Sequence, residues 1–186
     1  MRRLHVFNSV TLDGYFSGPD GDLSWAHKSD PEWNEFVAGN AKGESTLLFG
    51  RKTYEMMVAF WPTPAATEQF PDVAKGMNDA PKIVFSRTLK KSAWKNTTVV
   101  SGDPAEEVRK LKSQNGPGMT LLGSGTIVAQ LTDARLVDQY QVVVNNVVLG
   151  KGRTMFEGVK NKLDLKLANT RSFKNGNVVL TYELAK

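Results

Sequence analysis

Residues 119–130, MTLLGSGTIVAQ, constrain the fold of this chain more than any other stretch. Residues 119–122 are a short apolar run of strand length. Gly123-Ser124-Gly125 breaks the run, and from Thr126 onward Ile127, Val128, Leu131 and Ala134 recur along one helical face. A strand, a glycine turn and a helix, in that order, can bind phosphate. Glycine lets the backbone approach an anion, and the unpaired N–H groups of the first helical turn point at it. The hydroxyls of Ser124 and Thr126 add donors. Val128 stands where G-x-G-x-x-G would place its third glycine, so this is not a full dinucleotide fingerprint. No Lys-Ser or Lys-Thr pair follows, so it is not a P-loop. A phosphate site and a plain tight turn at a helix start both stay open at this point.

The rest of the chain supplies a sheet for that turn. Leu4, Val6 and Asn8 alternate with His5 and Phe7, which predicts a strand over 3–10. Turn chemistry at Asp13-Gly14, Gly18-Pro19 and Asp20-Gly21 predicts a loop over 11–29, long enough to be functional or mobile. Asp30-Pro31-Glu32 offers an N-cap, a proline at the first helical position and an acidic first turn. The helix it opens runs to about residue 41 with Trp33, Phe36 and Val37 inward. A buried strand over 45–49 ends at Gly50, and a helix over 51–60 carries Tyr54, Met57 and Val58 on one side. Trp61-Pro62-Thr63-Pro64 stops it, and a weak helix is expected over 65–77.

Strands follow over 81–86 and 97–101, then a helix from Asp103-Pro104 to 113, ended by Asn115-Gly116-Pro117-Gly118. After the central stretch come a valine-rich strand over 136–149 and a glycine-rich basic segment over 151–162. A hairpin pairs 163–173 with 177–183 across Lys174-Asn175-Gly176. Alternating strands and helices closed by a hairpin give an α/β class: a mostly parallel central sheet with an antiparallel C-terminal hairpin. At 186 residues this is one domain, 1–186, with room for a sizeable core.

Composition excludes several chemistries. There is no cysteine, so no disulfide framework, thiolate metal site or cysteine nucleophile, and a reducing, cytoplasmic setting is expected. His5 and His27 stand alone, so no metal site is expected and both read as structural. No apolar run approaches the roughly 18 residues of a membrane span, and MRRLHVFNSVTLDG reads as a first strand, not a signal peptide. Net charge is +5, which suits an anionic small ligand. Lys90-Lys91, Lys151-Gly152-Arg153 and a pI near 9.4 also allow a basic nucleic-acid-binding module. No nucleic-acid motif is present, however, and aromatics are not interleaved with the basic residues.

Open α/β sheets bind ligands beyond the carboxyl ends of their strands. Three such ends here carry similar chemistry: Gly50-Arg51-Lys52-Thr53, Ser86-Arg87-Thr88 and Gly123-Ser124-Gly125-Thr126. Cations, hydroxyls and helix starts at one sheet edge suit a polyphosphate. Arg51 or Arg87 can also grip a ribose 2′-phosphate, favouring NADP over NAD. Taken singly, each arginine reads equally as a solvated loop charge.

At these residues the chain resembles a family. Phe49-Gly50-Arg51-Lys52-Thr53-Tyr54-Glu55 is similar to the G-R-x-T-[WY]-E signature of dihydrofolate reductase, and Pro81-Lys82-Ile83-Val84-Phe85-Ser86-Arg87 to its next strand. The closer resemblance is to the reductase domain of the riboflavin-pathway deaminase–reductase. Ser9-Val10-Thr11-Leu12-Asp13-Gly14 resembles its S-x-D-G start, and residues 123–149, with Leu136-Val137-Asp138 and Val148-Leu149-Gly150, its late section. The resemblance spans about 1–184. It implies a three-layer dihydrofolate-reductase-like fold, NADPH as hydride donor and a homodimer.

In that frame Val10 lines the nicotinamide side, while Gly50, Arg51, Lys52, Thr53, Ser86, Arg87, Gly123, Ser124, Gly125 and Thr126 hold phosphates and ribose. Asp13 is the candidate to contact substrate or supply a proton, with a plain β-turn aspartate as the alternative. Trp25, Trp61 and Phe156 are candidates to stack on a flat ring, or else pack in the core or at its rim. The expected function is an NADPH-dependent reductase of a small flat pterin- or aminopyrimidine-like heterocycle. The alternative within the fold is an NADP(H)-binding protein without reductase activity. Two departures matter: riboflavin-pathway domains commonly carry an acid just before the glycine pair, where Leu122 stands here. Dihydrofolate reductases hold the pterin with an acid on the first helix, and none of Asp30, Glu32 and Glu35 has the matching spacing from Gly50.

Overall fold

The computed structural model describes residues 1–28 and 30–185; Ser29, the last residue of the predicted loop, lies outside the described residues. The main sheet contains β1 (Leu4–Thr11), β3 (Ser45–Gly50), β4 (Lys82–Phe85), β5 (Thr97–Val100), β6 (Gly118–Leu122), β7 (Gln139–Asn145), β9 (Leu165–Ser172) and β10 (Val178–Leu184). Their order across the sheet is β5-β4-β3-β6-β1-β7-β10-β9. The first six in that order run parallel, and β10 and β9 close the far edge antiparallel. β2 (Tyr15–Ser17) and β8 (Arg153–Thr154) form a separate short ribbon. The helices are α1 (Pro31–Lys42), α2 (Arg51–Phe60), α3 (Pro64–Gln69), α4 (Pro71–Asp79), α5 (Pro104–Ser113) and α6 (Gly125–Asp133).

Helix α1 begins where it does because Asp30 caps it. Its Oδ1 accepts from the N–H groups of Glu32 at 2.9 Å and Trp33 at 3.4 Å. The strand alternation of β1 sends Leu4, Val6 and Val10 to one face, where they meet Val108, Val128 and Leu131 of α5 and α6. The opposite face of the sheet packs Leu47, Phe49 and Val84 against Tyr54 of α2 and Val73 and Met77 of α4. On that face too, Val143 and Val179 meet Trp33 and Phe173. Helix layers on both sides of the sheet make the three-layer architecture expected. Each fully buried Leu or Val contributes about 1.5–3 kcal/mol of transfer free energy.

The departures from expectation have local causes. The weak helix over 65–77 is two helices, because Pro71 lacks an N–H and drives Phe70 out of the helical region (φ −139°, ψ 64°). The strand over 136–149 is confined to Gln139–Asn145. Before it, Arg135 takes a left-handed conformation to end α6 (φ 52°). There too, the Asp138 carboxylate accepts from the N–H of Leu4 at 2.7 Å and pairs with Lys112. After it, the chain turns so that Val147 N–H bonds Asn145 C=O at 2.8 Å.

One buried cation gives the fold a pH signature. Lys82 is 1% exposed, donates to the carbonyls of Ala80 at 2.7 Å and Asn78 at 3.0 Å, and sits 4.6 Å from the Trp94 ring centre. Burial pushes its pKa down from 10.5 to about 8. Between those values the unfolded chain keeps a proton that the folded chain has released, so stability rises with pH, by at most about 3 kcal/mol. Urea unfolding between pH 7 and 10.5 should show this rise in the parent and not in Lys82→Met. Parallel profiles for the two proteins would refute it.

Candidate functional site

The strand order sets the site. β3 and β6 are neighbours, so the two turns that follow them stand side by side at the carboxyl edge of the sheet. Gly50 is the N-cap of α2 and Ser124 the N-cap of α6, and neither helix start is capped by a side chain. Unpaired first-turn N–H groups and the positive ends of two helix dipoles therefore meet in one place.

The turns are stitched together by one hydroxyl. Ser124 Oγ accepts from Gly50 N–H at 2.7 Å and shares a hydrogen bond with Thr53 Oγ1 at 3.0 Å. Ser124 and Gly123 both lie in the left-handed region (φ 57° and 65°). Gly123 N–H donates to Asn8 Oδ1 at 2.6 Å, which ties the turn to β1. A methyl group at Gly50 would overlap Ser124 Oγ, and one at Gly123 would lie 2.6 Å from Thr53 Cγ2. Glycine is thus required at both positions for the helix starts to approach. Gly125 has an ordinary φ, and a methyl there would meet the Met155 carbonyl at 3.3 Å and the Thr154 carbonyl at 3.5 Å.

Sequence reasoning found the two turns but missed the stitch between them, and it missed Asn8. A polar residue on the same face of β1 as Leu4 and Val6 was the available signal.

β4 lies beside β3, so the Ser86-Arg87-Thr88 end joins the same edge. Ser86 Oγ accepts from the N–H groups of Thr88 at 3.2 Å and Leu89 at 2.9 Å, which fixes its own turn. Arg87, Lys52 and Thr126 are exposed. Arg51 projects from the first turn of α2 and pairs with Glu55 at 2.8 Å while 41% exposed. Such a surface pair contributes little and yields readily to a phosphate. Val10 is buried near the end of β1.

Beyond β1, Asp13 is bound on both oxygens. Oδ1 accepts from Thr11 Oγ1 at 2.6 Å and Oδ2 from Gly150 N–H at 2.7 Å, with Leu149 N–H at 3.1 Å. The Thr11 hydroxyl, first, and the two backbone donors hold its pKa below the ordinary carboxylate range. Leu12 and Val148, exposed by 68% and 66%, flank this latch as an apolar lip.

Two of the aromatic candidates, Phe156 and Trp61, pack against other elements away from the edge. Phe156 packs edge-on against Tyr140 (centroids 6.0 Å apart) and lines a cavity of about 270 Å³ with Thr132 and Leu163. Tyr140 is the second residue of β7, so Phe156 serves the far half of the sheet. Trp61 stacks with Phe60 and Phe70 among α2, α3 and α4. Trp25 lies in a one-turn helix, Ser24–Ala26, with its ring N–H turned back to Asp22 C=O at 3.1 Å. His5 sits near the start of β1, its pKa lowered chiefly by burial. Two of the acids near α1 are engaged: Asp30 in the cap and with Asn175 N–H at 3.1 Å, and Glu32 with Arg171 at 3.1 Å, while Glu35 is exposed.

A larger cavity, about 630 Å³, is bordered by Gly43, Ser45, Pro81 and Pro117, at the opposite edge of the sheet. Its charges pair with one another, Lys42 with Asp72 and Lys75 with Asp79. Neither cavity is lined by the residues of the paired turns.

A model of the RibD C-terminal domain matches residues 2–179. Uncharacterized protein YyaP of Bacillus subtilis (strain 168) is 30% identical over 183 residues, 97% of this chain and 94% of that protein. A Shewanella sp. PV-4 protein provisionally assigned to riboflavin biosynthesis has the same fold, with TM-score 0.75 at 19% identity over 99% of both chains. The diaminohydroxyphosphoribosylaminopyrimidine deaminase/5-amino-6-(5-phosphoribosylamino)uracil reductase of Thermotoga maritima gives TM-score 0.68 at 16% identity, over 99% of this chain and 57% of that one. The chain belongs to the RibD C-terminal domain family, the riboflavin-pathway reductase branch of the dihydrofolate-reductase-like fold.

Proposed function

We propose that this protein is an NADPH-dependent reductase, one domain over 1–186, that passes hydride to a small flat heterocycle at the carboxyl edge of its sheet. The observation that carries the reading is the pair of uncapped helix starts at Gly50 and Ser124, held together where added methyl groups would collide. That cradle fits a pyrophosphate, which needs close backbone approach and several N–H donors. The N–H groups of α2 and α6 and the Thr126 hydroxyl would hold it. Arg51 and Arg87 would meet the adenosine phosphates, and Ser86 shapes the turn that presents Arg87.

NADPH supplies the hydride; the protein orients it and excludes competing geometries. Val10 and the Leu12–Val148 lip form the apolar side on which a nicotinamide would rest. Asp13 holds the β1 end to the Leu149-Gly150 turn and so shapes that lip. Held ionised, it acts as a positioning residue and delivers no proton at neutral pH. The family resemblance adds a homodimer in the cytoplasm to this reading, and light scattering tests the dimer.

NADPH should bind much more tightly than NADH. Replacing Arg51 by Ala should weaken NADPH by about 1.5–3 kcal/mol, the range for charge-assisted hydrogen bonds, and leave NADH nearly unchanged. Fluorescence titration with both cofactors measures this. Coincident curves in the parent protein would overturn the assignment. Binding without NADPH oxidation over a panel of pterins and pyrimidines would favour a binding protein of the same fold.

A further inference from the structure

The far half of the sheet carries an apolar face that is left half-exposed. β7 and β10 pair Val144 with Val178, Val142 with Leu180 and Tyr140 with Tyr182, and β10 pairs Tyr182 with Leu167 of β9. Side chains alternate along a strand, so these residues share the face on which Val6 and Val10 of β1 meet α5 and α6. Full burial on that face stops at Tyr140. Val142, Val144, Val178, Leu180 and Tyr182 are half-buried, and Leu167 is 47% exposed. On the opposite face the same strands bury Val143, Val179 and Thr181.

The charges are segregated the other way. Lys166 and Arg171 of β9 and Glu183 of β10 alternate onto the opposite face, where Arg171 pairs with Glu32 of α1 and Glu183 with Arg3. Strands β9 and β10 therefore put every charge they carry on one side, and the half-exposed side has none. A strand with one face in water ordinarily shows the reverse, apolar inward and polar outward. Strand β10 has Val178, Leu180 and Tyr182 on one side and Val179 on the other, the pattern of a strand covered on both faces.

The face is large enough for a stable contact. Three strands about 4.8 Å apart and about seven residues long, at ~3.4 Å per residue, make a footprint of roughly 14 by 23 Å. Phe156 adjoins it at Tyr140, and the exposed Leu12 and Val148 follow the carboxyl ends of β1 and β7. Together these residues would bury on the order of 600–800 Å² per copy, the scale of a standard interface at ~800 Å² per partner. Ordinary monomers rarely expose an apolar patch of that size.

We propose that this face seats a second copy of the chain, packed sheet against sheet across a two-fold axis. A two-fold axis brings the same patch to both sides, so the patch must complement itself. An uncharged apolar sheet face does so. A partner of different sequence is selected by charge placed across the contact, and this face carries none. Two such faces stack about 10 Å apart with their strands within about 30° of each other. The row of Val144 and Val178 continues Val10 of β1, so the second copy stands beside the apolar side on which a nicotinamide would rest. This adds a wall to the site of the reductase reading and does not depend on its redox chemistry.

Sedimentation equilibrium of the whole protein should give a dimer at micromolar concentration. Leu167→Glu and Leu180→Glu should each weaken it by at least about tenfold. Phe60→Glu, at the separate exposed patch of Met56 and Phe60 on α2, should leave it intact. The chain has no cysteine, so Leu167→Cys supplies a single thiol that reports on the face should the glutamate variants fail to fold. Maleimide should label that thiol at least about tenfold more slowly at dimeric concentrations than after dilution to monomer. A monomeric parent would leave the face to a different partner and overturn the proposal. So would folded glutamate variants that dimerise as the parent does, a labelling rate independent of protein concentration, or dissociation by Phe60→Glu alone. NADPH is titrated into the same samples. A dimer on this face that binds no NADPH sinks the reductase reading and leaves the interface standing, and a monomer that binds and oxidises NADPH sinks the interface alone.

Discussion

Gly123→Ala should abolish most NADPH binding, by at least about thirtyfold or ~2 kcal/mol, while Gly125→Ala should bind nearly as the parent does. Gly123 combines two demands. Its φ of 65° strains any residue with a Cβ, at about 1–2 kcal/mol. The added methyl would also lie 2.6 Å from Thr53 Cγ2 and 2.7 Å from Thr53 Oγ1 in the first turn of α2. Thr53 is buried and cannot swing away, so α2 and α6 must separate. Separation breaks the bonds from Ser124 Oγ to Gly50 and Thr53 and spreads the two N-terminal donor sets that a pyrophosphate would bridge. At Gly125 neither demand applies, since its φ is ordinary and the Met155 carbonyl at 3.3 Å need give only slightly. Fluorescence titration of NADPH, with a thermal melt of each variant, separates binding from folding. A Gly123→Ala protein that melts and binds as the parent does would place the phosphate site elsewhere.

The same pair of turns shows what could be read in the sequence. Helix α2 runs over Arg51–Phe60 as predicted, because a glycine opens it and Trp61-Pro62 closes it, both local signals. Asp30 and Asp103 mark their helix starts for the same reason: each caps two N–H groups within three residues. Long-range decisions were less visible. That β6 inserts between β3 and β1, bringing residues 50 and 124 together, follows from the packing of the whole sheet and not from either segment. The Ser124 stitch and the Asn8 tie depend on that insertion, so no window around Ser124 could reveal them. Phe156 and Trp61 follow the packing alternative that the sequence left open, and for a related reason. A tryptophan or phenylalanine reads the same whether it faces a ligand or a neighbouring helix. Phe156 is held by Tyr140, and Trp61 by its chain neighbour Phe60 and by Phe70 beyond Pro62 and Pro64.

Dihydrofolate and the riboflavin-pathway pyrimidine should both be turned over poorly, with kcat/KM well below about 10⁴ M⁻¹s⁻¹, the lower end of ordinary enzymes. The enzymes this chain resembles use an acid at the substrate ring, and Asp13, Asp30 and Glu32 are each otherwise engaged. Leu122, just before the glycine pair, can accept no hydrogen bond. Asp30 caps α1 and holds Asn175, and Glu32 pairs with Arg171. Asp13 accepts from Thr11, Leu149 and Gly150, and these bonds lower its pKa. A group with a lowered folded pKa is ionised throughout the neutral range, and the stability it contributes is lost only as pH falls into the acid range. The rate of NADPH oxidation between pH 6 and 8 should therefore show no inflection belonging to Asp13. Asp13→Asn should lower the melting temperature at pH 7, where the carboxylate is charged, and lose that difference at acid pH.

A high kcat/KM on either compound, with an inflection that Asp13→Asn abolishes, would make Asp13 the acid and reverse this assignment.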